Sequence, residues 1–161
     1  MVFIKSKMNK SKMKKTKMSK SKTIKNKSSM YDMKLFEKEI TVKFLEMLLM
    51  IKLFHWKTTS FATHKATDEL YTKLNANMDS FIEILLGKAG TRIDLTDNKT
   101  ITLIDLTSQE ALKKEIETFK GYLVGLNDNQ VMKTMSNTDL YNIRDTILGD
   151  MNQFLYLLTF K

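Results

Sequence analysis

Apolar residues recur at helical spacing over most of the chain after residue 32. From Met33 to Trp56 they follow intervals of three and four and cover nearly every side towards the end, which predicts a long, central helix 1. A second apolar stripe predicts helix 2 over about residues 63–88, and Gly87 and Gly90 supply a stop. Residues 91–107 alternate Ile, Leu and Thr, a pattern that leaves an irregular segment, a short helix and a weak strand pair open.

Two more amphipathic helices are predicted in the last third of the chain. Ser108 is a candidate N-cap of helix 3, which ends near Gly125. Asn137, Thr138 and Asp139 offer caps for helix 4, which carries the last apolar stripe. The fold class is therefore all-α, a four-helix bundle. Because the long segment between helices 2 and 3 can carry the chain along the bundle, the connectivity is ferritin-like, with one crossover between two helical hairpins.

Positive charge is concentrated at the start of the chain. Residues 1–31 hold 11 lysines and no acid, which is a net charge of +11. Residues 32–161 hold the other 16 Lys and Arg (27 less 11) and all 18 Asp and Glu, which is a net charge of −2. The lysines of residues 1–31 repel one another, and this segment has little apolar surface to bury. We therefore predict a disordered Lys-rich tail over 1–31 and one bundle domain over 32–161.

Composition excludes several classes of function. With no cysteine, the chain has no disulfide, thiolate zinc site or cysteine nucleophile, which fits a reducing compartment. The longest apolar run, residues 44–54, is interrupted by Glu46 and Lys52 and is too short to cross a bilayer. No signal-peptide apolar region follows the basic start, so we expect a protein that is not secreted. The Lys, Asn, Ile and Met bias fits an AT-rich genome, for example that of a large DNA virus.

Side chains that bind metals follow helical spacing around the junction of helices 1 and 2. His55 lies near the end of helix 1, and His64, Asp68, Asp79 and Glu83 follow at intervals of 4, 11 and 4, so these four share one face of helix 2. Polar pairs four residues apart are also common on solvated helices. A metal site is favoured because both histidines lie at the helix junction and the carboxylates repeat on the same face three turns later. Imidazole with carboxylate suits iron, manganese or zinc, and the carboxylate majority favours iron.

One chain cannot close this site alone. The 15 residues from His64 to Asp79 span roughly 22 Å at about 1.5 Å per residue. Lys52 and Phe61, three residues before the two histidines, are not the glutamates of an intrachain di-iron site. If helix 2 of a second copy lies antiparallel, the two halves of the stripe meet and form two equivalent sites about a two-fold axis.

The same residues carry a resemblance to a known family. Residues 53–56, Leu-Phe-His-Trp, followed by Phe61, His64-x3-Asp68-Glu-Leu-Tyr71 and Asp79-x3-Glu83, resemble the DNA-binding protein from starved cells (Dps), the mini-ferritin branch of the ferritin-like superfamily. The resemblance covers about residues 33–161 and is strongest over 53–83. The loop between the histidines is shorter than the usual family form, and residues 91–107 show no clear version of the family's connecting helix.

The resemblance implies an iron-oxidising enzyme, a ferroxidase, built from two-fold dimers that assemble into a hollow dodecamer. The implied ligands are His55, His64 and Asp68 from one subunit and Asp79 and Glu83 from the other. Trp56 would lie beside the iron, and packing of the dimer explains it equally well. Fe2+ would be oxidised by peroxide or oxygen and the ferric product stored in the cavity.

The lysine-rich segment predicts a second activity. Lysines every two or three residues suit phosphate contacts on DNA without base readout, and repetition over an oligomer strengthens them. The candidate phosphate-binding residues are Lys5, Lys7, Lys10, Lys12, Lys14, Lys15, Lys17, Lys20, Lys22, Lys25 and Lys27. A solvated extension without function and a targeting segment are the alternatives.

Three hypotheses follow for the whole chain. The first is an iron-storing, DNA-protecting mini-ferritin in the cytoplasm or on the nucleoid. The second is an architectural nucleic-acid compaction protein on a ferritin-like scaffold without working iron chemistry. The third is a helical interaction module whose polar stripe is its dimer interface.

Overall fold

The computed structural model describes residues 9–97 and 100–160, with the backbone alone for residues 9–29 and 31. Within these ranges the protein is all-helical and has no β-strand, which confirms the predicted class. The helices are α1 (Asn9–Lys57), α2 (Phe61–Ala89), α3 (Gln109–Gly125), α4 (Gln130–Thr134) and α5 (Thr138–Leu157). The described helices include none that is long and apolar enough to cross a membrane.

Local signals explain where the helices begin and end. The Ser60 side chain caps α2 by accepting from the Thr63 amide, and Ser108 caps α3 through the amide of Ala111, as predicted for Ser108. Gly90 ends α2 in the left-handed conformation, with φ of 65°, where glycine has no Cβ strain. The sequence pattern does not predict the short α4; Asn129 caps it by accepting from two successive amides.

The N-terminal part of α1 differs from the prediction. Residues 9–31 are helical, so the prediction of a disordered tail is not confirmed for them, and residues 1–8 lie outside the described part of the chain. The segment has no proline or glycine, and lysine and methionine are good helix formers, which explains how a helix can extend this far despite the charge. The chain divides into two compact units, Met1–Leu35 and Phe36–Lys161.

Within the second unit, α1 and α2 run antiparallel. His55 near the end of α1 stacks on His64 near the start of α2, and further along Phe44 meets Phe81 edge to face with ring centroids 5.4 Å apart. Both phenylalanines are buried. The two helices therefore share an apolar interface, and both histidines of the chain lie at its end next to the connecting turn.

The last helix packs antiparallel to both α2 and α3. Lys73 of α2 contacts Gln153 of α5, and Lys88 of α2 contacts Asp139 of α5. Residue numbers therefore increase along α2 in the direction in which they decrease along α5. In α3, Gln109 donates to the carbonyl of Leu158 just after α5. At the opposite end of the same pair, Arg144 of α5 donates to Asn127 just after α3.

The connection from α2 to α3 is irregular. It has neither helix nor strand within residues 91–97 and 100–107, which answers the question that the sequence left open. Its first residue, Thr91, donates to Glu37, whereas Asp105 near its end pairs with Lys57. Since Glu37 and Lys57 lie about 30 Å apart along α1, the segment extends along that helix. The starts of α2 and α3 are joined by a hydrogen bond from Thr63 Oγ1 to Gln109.

Phe81 provides a test of the core. It is fully buried against Phe44, so Phe81→Ala should lower the free energy of unfolding by about 3–5 kcal/mol. Phe61→Ala on the same helix is the matched control, because that ring is 76% exposed and its loss should change the free energy by about 0.5 kcal/mol or less. Urea unfolding followed by circular dichroism measures both, and equal losses would contradict this packing.

Candidate metal site

The two histidines hold each other in place at the α1–α2 turn. His55 Nδ1 lies 3.1 Å from the carbonyl oxygen of His64, and His64 Nδ1 lies 3.1 Å from the carbonyl oxygen of His55. Their rings stack with centroids 3.9 Å apart and an interplanar angle of 24°. The pair forms because only residues 58–60 separate the two helices, and this short turn brings the helix ends together.

The reciprocal hydrogen bonds determine the tautomer of both rings. A carbonyl oxygen only accepts, so each Nδ1 carries the hydrogen and donates it. In the neutral ring this leaves Nε2 with a free lone pair, the form in which histidine binds a metal while its other nitrogen is held by a hydrogen bond. Thr67 adds to the arrangement, because its hydroxyl lies 3.2 Å from His55 Nδ1 and 3.0 Å from the His64 carbonyl oxygen.

Asp68 is the carboxylate nearest to this pair. Its Oδ1 lies 4.0 Å from His55 Nε2, and His55 is buried whereas Asp68 is exposed. The Lys52 ammonium lies 4.0 Å from the same carboxylate oxygen and also stands over the Tyr71 and Trp56 rings, 4.7 and 5.8 Å from their centroids. A cation therefore already lies beside Asp68 where a metal ion would approach it.

The other two predicted ligands lie elsewhere on α2. Asp79 and Glu83 are exposed, and because α2 is one continuous helix they begin about 22 Å from His64. Asp79 lines a pocket of about 180 Å³ between α1 and α2. In the described part of a single copy, no three His, Asp or Glu residues are close enough to hold a metal ion. One copy thus has two separate groups of candidate ligands, which we call half-sites: His55, His64 and Asp68 at the α1–α2 turn, and Asp79 and Glu83 further along α2.

The donor set fits a divalent transition metal. Two imidazole nitrogens with free lone pairs and carboxylate oxygens are the ligands of iron, manganese and zinc sites. Sequence reasoning missed Lys52 and Thr67 as neighbours of these donors. Two signals were available: Lys52 lies one helical turn before Trp56, and Thr67 lies one turn after His64.

The predicted DNA-binding lysines are only partly described. Lys5 and Lys7 lie outside the described residues, and the other nine lie in α1, where the structure gives the backbone alone. The nine described lysines belong to the first of the two compact units, Met1–Leu35.

Comparison with known proteins gives one family. Residues 55–158 match a family of unknown function, DUF5856. The chain belongs to this family. The DUF5856 match covers well over half of the chain and includes all five candidate metal ligands, while the lysine-rich segment lies outside it. No curated protein and no solved structure gives a significant match.

Proposed function

We propose that this DUF5856 protein is a Dps-like mini-ferritin that oxidises and stores iron at sites between subunits. The observation that carries the proposal is the reciprocal histidine pair, which leaves a free lone pair on Nε2 of each ring and holds His55 Nε2 4.0 Å from Asp68 Oδ1. Two imidazole nitrogens with free lone pairs close to a carboxylate have no evident use in core packing. They suit an incoming Fe2+ ion.

The contacts between helices support a ferritin-like connectivity. The starts of α2 and α3 meet through Thr63 and Gln109, so the chain must return along the bundle between them. The contacts of Thr91 with Glu37 and of Asp105 with Lys57 mark the two ends of that return. One long crossover between two antiparallel helix pairs is the arrangement of ferritin-like bundles.

A two-fold dimer completes the proposed site. His64 and Glu83 are equally far from the midpoint between residues 73 and 74 of α2, and so are Asp68 and Asp79. An axis through that midpoint, with the two α2 helices antiparallel, brings each half-site against the other half-site of the second copy. The contact is isologous and gives two equivalent sites per dimer. Six such dimers would form the dodecamer that the family resemblance implies.

Iron is the substrate of the proposed reaction. Two Fe2+ ions give one electron each to one peroxide, which takes up two protons and leaves as two waters; oxygen is the alternative oxidant. The imidazoles of His55 and His64 hold the ions in position, and the carboxylates of Asp79 and Glu83 offset the charge that rises on oxidation. Zinc and manganese suit the same donors and would compete. Purified full-length protein should oxidise Fe2+ far faster than buffer does, and a rate equal to that of buffer would contradict the proposal.

The lysine-rich segment is proposed to bind DNA through its phosphates. It carries +11 against −2 for the rest of the chain, and it lies outside the region that matches the family. A basic segment of this kind binds any sequence, and it would hold the assembly on the nucleoid or on other DNA in the cytoplasm. The second candidate function, DNA compaction without iron chemistry, is favoured by this separation between the segment and the matched domain.

Lys52 provides a test of the metal site that does not depend on oxidation. Because its ammonium lies 4.0 Å from Asp68, Lys52→Met should tighten binding of redox-inert Zn2+ by about two- to fivefold. Methionine keeps the apolar stem and removes the charge. Calorimetric titration measures the affinity. Lys73→Met is the matched control, since Lys73 pairs with Glu69 away from the predicted ligands, and equal gains in both variants would contradict the assignment.

A further inference from the structure

The lysine-rich segment contains a five-residue repeat. Residues 5–29 form five successive copies: Lys-Ser-Lys-Met-Asn, Lys-Ser-Lys-Met-Lys, Lys-Thr-Lys-Met-Ser, Lys-Ser-Lys-Thr-Ile and Lys-Asn-Lys-Ser-Ser. The first and third positions are lysine in every copy. The second position carries a hydroxyl in four copies, at Ser6, Ser11, Thr16 and Ser21, and is Asn26 in the fifth. The repeat therefore places hydroxyl residues between two lysines at regular intervals.

The helical backbone gives this repeat a regular geometry. Residues 9–29 are part of α1, and residues four apart in a helix lie on the same face. With a period of five, each second position lies four residues after a lysine of the preceding copy and four residues before a lysine of the next. Three hydroxyl residues have lysines on both sides in this way. The sets are Lys7, Ser11 and Lys15; Lys12, Thr16 and Lys20; and Lys17, Ser21 and Lys25, of which Lys7 alone lies outside the described residues.

The lysines of this part of α1 have no acidic partner within the segment. Residues 1–31 contain no Asp or Glu, and like charges three or four residues apart, such as Lys10 and Lys14, destabilise a helix. Met13 and Met18 are five residues apart, about 140° around the helix, so the repeat forms no apolar stripe that could stabilise it by packing. A negative group on a face shared by two lysines would offset this repulsion and stabilise the helix.

We propose that Ser11, Thr16 and Ser21 are phosphorylation sites and that phosphate on them releases the lysine-rich segment from DNA. The inference rests on the DNA binding of the proposed function and adds its regulation. The enzyme class is a Ser/Thr kinase that prefers basic residues around its acceptor. The γ-phosphoryl group of ATP moves to the hydroxyl oxygen, ADP leaves and the hydroxyl proton is released.

Three phosphates change both the charge of the segment and the lysines free to bind DNA. At about −1.5 to −2 each, they lower the net charge of residues 1–31 from +11 to about +5 to +6.5. The three sets share no lysine, so the phosphates attract six of the 11 lysines. A lysine paired within the helix no longer displaces a counterion from DNA. The slope of log K against log salt should therefore become shallower by about 5 per bound segment.

Phosphate transfer in vitro tests the acceptor sites. Full-length protein is incubated with Mg-ATP and the catalytic domain of protein kinase C, which prefers basic residues on both sides of its acceptor. Mass spectrometry should find phosphate on Ser11, Thr16 and Ser21. The Ser11→Ala, Thr16→Ala, Ser21→Ala variant should lose most of the uptake, whereas the control Ser28→Ala should retain it. No uptake by the wild type, or equal uptake by the triple variant, would overturn the inference.

Amide hydrogen exchange tests the pairing between phosphate and lysine. Full-length protein phosphorylated at Ser21 alone should exchange the amides of residues 9–31 more slowly than unmodified protein, because the helix is stabilised. Phosphorylation at Ser28 alone is the matched control, since Ile24 and Asp32 lie four residues before and after it. It adds the same charge beside Asp32 and should speed the exchange. Equal effects at the two sites would contradict the pairing.

Gel-shift titration with a DNA duplex tests the release. The triply phosphorylated protein should bind more weakly than the unmodified protein and with the shallower salt slope, and kinase treatment should leave binding by the triple Ala variant unchanged. Equal slopes before and after phosphorylation would overturn the release and leave DNA binding standing. If the unmodified protein binds no DNA, both DNA binding and its release are contradicted, while phosphate transfer and slower exchange would still support the three acceptor sites.

Discussion

The Asp79→Ala, Glu83→Ala double variant should still assemble and should lose rapid Fe2+ oxidation, with a rate reduced by about a hundredfold or more. Both side chains are exposed on α2 and make no contact that the bundle needs, so their removal should leave the fold intact. The loss is large because the carboxylates of one copy are the ligands that the histidine half-site of the other copy lacks. Stopped-flow absorbance of ferric product after mixing with Fe2+ and peroxide measures the rate.

A matched control separates the site from surface charge in general. Glu69 also lies exposed on α2, but it pairs with Lys73 rather than with the predicted ligands. Glu69→Ala should therefore oxidise Fe2+ at close to the wild-type rate. Equal rates for the double variant and the wild type would remove Asp79 and Glu83 from the site.

Mixing two inactive variants tests whether the site lies between copies. His64→Ala removes one half-site and the double variant removes the other, so neither forms a complete site by itself. In a random 1:1 mixture, half of the dimers are mixed and each of these holds one complete site of two, which restores about a quarter of the wild-type activity. If both partners of the site came from the same chain, the mixture would stay inactive.

Helix α2 shows what could be predicted from the sequence. Its apolar period, its stop near Gly90 and the Ser108 cap of the next helix are local properties of a few neighbouring residues, and the structure has all three. The stripe from His64 to Glu83 follows from helix geometry alone once α2 is continuous. The apolar face of α5 was likewise predictable, because three- and four-residue spacing determines which side faces the core.

The features that sequence reasoning missed depend on contacts between distant residues. The reciprocal hydrogen bonds of His55 and His64 require a particular turn and particular side-chain rotamers, neither of which a ligand pattern specifies. The sequence identifies Lys52 only as a non-ligand, although three-dimensional packing places its ammonium beside Asp68. Residues 91–97 and 100–107 could not be assigned because they form neither helix nor strand, and their contacts with α1, such as that of Thr91 with Glu37, do not follow from their own periodicity.

Deletion of residues 1–31 should abolish DNA binding and leave Fe2+ oxidation unchanged. The deleted segment carries all of the excess positive charge, and the remaining net charge of −2 repels phosphates. It also lies outside the matched region, which holds all five predicted ligands. Gel-shift titration with a DNA duplex and the ferroxidase assay measure the two activities on the same preparation. Persistent DNA binding after the deletion would assign that activity to the bundle.

Salt dependence gives the sharper form of this test. Replacing five of the lysines, Lys10, Lys14, Lys17, Lys20 and Lys25, with Gln removes charge but keeps a residue of similar helix propensity. If each lysine contacts one phosphate, the slope of log K against log salt should become shallower by about 4 to 5 per bound segment, and replacing the same five with Arg should leave it nearly unchanged. The slope counts phosphate contacts directly, so it distinguishes phosphate neutralisation from a loss of helix in α1, which would weaken both sets of variants alike. A slope unaffected by the Gln substitutions would show that these lysines do not contact DNA.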